Sequence, residues 1–148
     1  MFLSLEFQLA SYGAGAAHPN YHTRTMNFKL RPSLELHSAD LLSASPNSLK
    51  VLSQYCMNDL HRQQPSRWGD SAVRAEQLKS ERDSWILSGA GPSYQNYEKL
   101  SLRKNGVVVH FDPYQVGSYA EGKYEVFIPA HEAKPILQEG VVALLGWN

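Results

Sequence analysis

Apolar and polar residues alternate from the start of the chain. Leu3, Leu5, Phe7 and Leu9 hold one parity, and Ser4, Glu6 and Gln8 hold the other. A period of two marks a half-buried strand. Residues 23–30 predict a second strand with Met26, Phe28 and Leu30 on one face. Arg31-Pro32-Ser33 turns the chain, and Leu34-Glu35-Leu36 makes a short third strand. The period then lengthens. Leu49, Leu52, Cys56 and Leu60 recur at helical spacing, and such a stripe faces a core. Ser45 as N-cap and Pro46 at the first position place that helix over 46–62. Ser38 is expected to cap a helical turn over 39–42. Residues 63–69 form a polar break containing Pro65. Asp70 is expected to cap a helix over 71–85, with Ala75, Leu78 and Trp85 on one side. Residues 97–102 and 107–111 read as a hairpin, because Asn105-Gly106 signals a type I′ turn. A further strand, 124–128, closes at Pro129. A short helix over 130–137 is cut down by Pro135, and the apolar tail 141–147 should dock on the domain. Strands, helices and strands again predict an α+β fold, a mainly antiparallel sheet with two to four helices packed on it.

Length and charge narrow the picture. The chain has 148 residues, which suits one domain over 1–148 able to bury a core without cross-links. Its first strand begins almost at Met1 without a polar lead-in, so residues upstream of the chain are expected to be missing. Lys and Arg total 14, Asp and Glu total 14, and the formal net charge is zero. No basic stripe with interleaved aromatics occurs, so nucleic acid is not an expected partner. No apolar run approaches the roughly 20 residues of a membrane helix. The opening residues lack the basic region of a signal peptide, so no export signal is expected in this chain. Cys56 is the single cysteine. It rules out an internal disulfide and reads as a small buried apolar residue.

Four constellations bear on chemistry. Gly13 to Asn20 is a small-residue loop carrying His18 and Asn20. It lacks the spacing of a phosphate loop, and the plain reading is a tight loop whose His18 bonds a neighbouring carbonyl. The histidines His18, His22, His37, His61, His110 and His131 show no metal-ligand spacing, so no metal or cofactor is expected. No Gly-x-Ser-x-Gly elbow is present. Ser118 and His110 lie near one another in sequence, with nothing visible to orient the histidine. Asp112 and Glu121 are candidates for acid–base work, but Asp112-Pro113 is also a turn opener in which the Asp bonds its own backbone. The segment from Asp112 to Gly122 joins two strands and holds Tyr114, Gln115, Ser118 and Tyr119. Its tyrosines either pack beneath the hairpin or form an exposed binding edge. A loop on a rigid scaffold is where binding residues concentrate. The candidate binding residues are therefore Tyr114, Gln115, Ser118 and Tyr119, with His18 and Asn20. No residue is assigned a catalytic role.

Two of these passages resemble a known family. Gly15-Ala16-Ala17-His18-Pro19-Asn20, followed by Thr25-Met26-Asn27-Phe28, is similar to a segment of the RsiV-type C-terminal domain. Gly106 to Tyr114, then Tyr119-Ala120-Glu121-Gly122 and Val126-Phe127-Ile128-Pro129, is similar to another segment of that domain, in the same order. The resemblance implies an α+β module of the bacterial cell envelope. It implies a non-catalytic binding or sensing role toward a lysozyme-like protein, as in RsiV anti-sigma factors, or toward cell-wall glycan. The alternative it implies is an accessory domain beside a peptidoglycan deacetylase of the PdaC type. It also implies an extracytoplasmic location.

Overall fold

In a computed structural model, residues 1–68 and 72–147 are described. Strands β1 (Phe2–Ser11), β2 (Asn20–Leu30) and β3 (Ser33–Leu36) form one antiparallel sheet in that order. Strands β4 (Leu100–Arg103), β5 (Gly106–Phe111) and β6 (Tyr124–Pro129) form a second. Between the sheets in sequence come α1 (Ser38–Leu41), α2 (Pro46–Gln63) and α3 (Ala72–Gly89), and after them α4 (Ala130–Ala133) and α5 (Glu139–Leu145). The α+β expectation holds, with two small sheets in place of one. Helices α1 and α4 are single turns. The expected cap Asp70 lies outside the described residues, as does the side chain of Ala75.

The core sits between the second sheet and the helices. Leu100, Leu102, Val107, Val109, Phe111, Tyr124, Val126 and Ile128 share one face of the sheet through the strand register. All are buried, and they form one cluster with Leu52, Cys56, Leu60 and Ile86. Helix α2 follows its predicted stripe, and Ser45 and Pro46 open it as expected. Helix α3 runs past Trp85 to Gly89 and buries Ile86, leaving Trp85 half-buried. A Cβ on Gly89 would stand 1.8 Å from the Gln115 carbonyl oxygen, so the Asp112–Gly122 loop lies directly on this helix end. The tail docks as expected. Trp147 is buried, and its indole N–H donates to the Lys104 carbonyl at 2.7 Å.

Three local expectations change. The N-cap of α1 is His37, not Ser38, and its N–H is held by the Asp40 carboxylate at 2.9 Å. The β4–β5 hairpin is present, but Arg103 pairs with Gly106, so the two loop residues are Lys104 and Asn105. Neither has a positive φ, and the turn is not type I′. Gly106 is needed for space instead: a Cβ there would lie 2.3 Å from the Ile128 carbonyl oxygen.

The third change concerns the first sheet. Its alternation is real, but the apolar side faces out. Leu3, Phe7 and Leu9 are 42%, 43% and 40% exposed. The polar parity meets the second sheet. Ser4 Oγ accepts the Leu102 N–H at 3.0 Å, and Asn27 Nδ2 donates to the Leu100 carbonyl at 2.8 Å. Ser4 Oγ in turn donates to Asn27 Oδ1 at 2.7 Å. Among the described residues, strand β4 has an edge with no strand beside it, and its buried backbone groups need polar partners. Ser4 and Asn27 supply them, which turns the polar face inward.

Candidate functional site

The loop after β5 and the loop between β1 and β2 meet at one end of the molecule. His18 and Tyr119 stack, with ring centroids 3.7 Å apart and planes 19° from parallel. The Tyr119 hydroxyl donates to the Pro19 carbonyl at 2.7 Å. His18 Nδ1 lies 3.2 Å from the same carbonyl, the neighbouring-carbonyl bond expected of this loop. Tyr114 extends the group, its ring centroid 5.7 Å from that of Tyr119. Tyr114 is 52% exposed and Tyr119 half-buried. Tyr114 also has φ 72°, the one positive value on a described non-glycine residue. Such torsions cost free energy for a side chain with a Cβ and persist where the surroundings enforce them. Burial and the nearby Tyr21 and Tyr114 hydroxyls push the Tyr119 phenol above its ordinary pKa, so it remains a neutral donor.

Beside this aromatic group lies a cavity of about 240 Å³ lined by Gln8, Tyr21, Asp112, Pro113 and Lys123. Tyr21 and Lys123 were not singled out by sequence. Tyr21 follows Asn20 in β2, and Lys123 precedes β6, so only the meeting of the two sheets makes them neighbours. A second cavity, about 280 Å³, lies among Thr25, Asn27, Glu35, His37 and Glu98, and no tyrosine, tryptophan or phenylalanine lines it.

The other expected binding residues are placed differently. Asn20 is exposed at the start of β2, opposite Ser11. Gln115 points into the fold, where its amide donates to the Gly89 and Asn96 carbonyls at 3.0 and 3.1 Å. Ser118 is a helix cap. Its N–H and hydroxyl both donate to Glu121 Oε1 at 3.0 Å. Tyr124 donates to the other Glu121 oxygen at 2.6 Å. Burial raises the Glu121 pKa, but these hydrogen bonds outweigh it and hold the carboxyl below the ordinary range. Gly117 is fixed by the same carboxylate, since a Cβ there would fall 2.7 Å from Glu121 Oε2.

Asp112 does not bond its own turn as expected. It is buried, accepts the Thr23 N–H at 2.8 Å and pairs with Lys99. It thereby ties β2 to the loop. Asp112 and Glu121 are each committed to separate partners. The Ser118–His110 pair does not form either. His110 Nε2 instead meets Ser101 Oγ at 2.8 Å, and its Nδ1 lies 3.4 Å from Glu125. Serine, histidine and carboxylate in that order have the connectivity of a hydrolase triad. Ser101 is only 2% exposed, however, and no substrate can reach its hydroxyl. Glu6, 3.4 Å from Nε2, completes a two-carboxylate cluster around His110. One ligand atom from each of these three residues lies within 4.8 Å of those of the other two, close enough to share a metal ion.

The profile of a family described as "Protein of unknown function (DUF3298)" matches residues 39–131, more than half of the chain. Among solved structures, a DUF3298 family member from Bacteroides fragilis is 20% identical with a TM-score of 0.65. That match covers 99% of this chain and 53% of the other. A DUF3298 family protein from Pseudomonas aeruginosa is 15% identical with a TM-score of 0.53, covering 95% of this chain and 57% of the other. At these identities the likeness is one of fold. The chain spans little more than half the length of either relative. No curated protein matches it.

Proposed function

We propose that this chain, which belongs to the DUF3298 family of proteins of unknown function, is a non-catalytic binding module of the bacterial cell envelope. Its ligand on this reading is a lysozyme-like protein or a cell-wall glycan, met outside the cytoplasm. The observation that carries it is the half-exposed group His18, Tyr119 and Tyr114 beside the Tyr21–Pro113 cavity. Tyrosine gives large contact area for little entropy loss, and either a protein surface or a sugar ring can stack on it. The titratable groups nearby are engaged in holding the fold, which favours recognition over chemistry. The test is calorimetric titration of the purified protein with lysozyme and, separately, with soluble peptidoglycan fragments. Binding of one of them, weakened about tenfold or more by Tyr114→Ala, supports the reading; a hot-spot aromatic is worth at least ~1.4 kcal/mol. No heat with either at high micromolar concentration overturns it.

The second reading is an accessory domain lending affinity to a peptidoglycan deacetylase. It is favoured by the extra chain that both solved relatives carry outside the match. Glycan binding without lysozyme binding would select it.

A further inference from the structure

Among the described residues, the first sheet has one long open edge, at β1. Strand β1 is 10 residues long and pairs without a bulge from Phe2 opposite Lys29 to Ser11 opposite Asn20. It contains no proline and no lysine, and Glu6 is its one charge. Natural edge strands are usually short, bulged, or guarded by Lys or Pro. The Leu30 N–H donates to the Met1 carbonyl at 3.2 Å. Bonded pairs recur at every second residue, so the odd residues of β1 bond β2. Phe2, Ser4, Glu6, Gln8 and Ala10 direct their N–H and C=O groups the other way. None of these groups has a backbone partner among the described residues.

The strand is complementary to itself. Across a twofold axis, only registers that set even residues against even residues bring the free groups together. A register centred on Glu6 opposes two carboxylates, which disfavours it. A register centred on Phe7 removes the clash. Glu6 then faces Gln8, Ser4 faces Ala10, Leu5 faces Leu9, and the two Phe7 rings meet on the axis. The half-exposed apolar stripe of each copy is extended by that of the other. We propose that the chain dimerises through antiparallel pairing of β1 with β1 of a second copy, centred on Phe7.

Light scattering on size-exclusion fractions, at rising concentration, reads the dimer directly. Phe7→Cys should cross-link under mild oxidation, because facing residues of a non-hydrogen-bonded pair have Cα atoms about 4.5 Å apart. Cys56 is fully buried and does not compete. Ala10→Pro deletes one outward N–H on an edge, where proline is tolerated, and should return the protein to monomer with its circular dichroism unchanged. A monomer at every concentration overturns the proposal, and so does a dimer that survives Ala10→Pro. Should Ala10→Pro not fold, a dimer whose Phe7→Cys form fails to cross-link overturns it as well.

Discussion

Asp112 carries more of the fold than a turn residue would. Its carboxylate is the partner of the buried Thr23 N–H and of the Lys99 ammonium. Asp112→Ala removes both contacts at once. The orphaned Thr23 N–H costs about 1–3 kcal/mol, because a buried donor without an acceptor bears its full desolvation penalty. The ion pair adds at most ~1 kcal/mol, since the Lys99 side chain is 31% exposed and solvent screens it. The expected loss is about 1–4 kcal/mol. Asp112→Asn keeps an acceptor for Thr23 and loses only charge, so it should cost about 1 kcal/mol. Urea unfolding followed by tryptophan fluorescence gives both values, and amide exchange at Thr23 localises the effect. An Asp112→Ala protein within ~0.5 kcal/mol of wild type, with Thr23 still protected, would refute the assigned role.

Three further outcomes follow from named contacts. Gly89→Ala drives a Cβ into the Gln115 carbonyl and should destabilise by about 3 kcal/mol or more, whereas Gly140→Ala in α5, with open space around it, should gain up to ~1 kcal/mol; thermal melts of the two variants check the contrast. The Cys56 thiol, whose pKa burial pushes far up, should resist a thiol reagent until denaturant unfolds the protein; prompt native-state labelling would contradict its place in the core. His110 has its pKa lowered by burial, against the opposing pull of Glu6 and Glu125. The unfolded chain therefore takes up that proton first, and stability should fall as pH drops below the ordinary value of 6.5. His110→Asn should flatten this slope in urea titrations run across that range; an unchanged slope would assign it elsewhere.

Helix α2 was legible because cap, proline and apolar stripe agree at Ser45, Pro46 and Leu52–Cys56–Leu60. The hairpin was legible for a partly different reason than expected. Asn105-Gly106 marks the bend, yet the glycine is selected by the approach of β6. The first strand shows the limit of patterning. Alternation reveals that a strand has two unlike faces, and assigning the apolar one inward is a separate assumption. It fails here because the β4 edge requires hydrogen bonds, which Ser4 and Asn27 can make and leucine cannot. The same holds for the aromatic group. His18 and Tyr119 were each visible as candidates, but their stacking depends on how the sheets meet, and no local pattern encodes that. Gln115 and Ser118 sit in the same loop and turn inward to carbonyls and a carboxylate.

The seam between the sheets has a consequence for how the molecule comes apart. It is fastened by a handful of directed contacts through Ser4, Asn27 and Asp112, while the second sheet and its helices are held by apolar burial. Directed bonds are lost together once their geometry slips, whereas Phe2 and Leu36 are the apolar residues of this sheet that pack against the core. The β1–β3 sheet is therefore expected to open ahead of the helical core. Its amides should exchange through a partial opening that leaves the helical core intact. Because His18 belongs to one side of the seam and Tyr119 to the other, a ligand seated across them would act as a clasp on that opening.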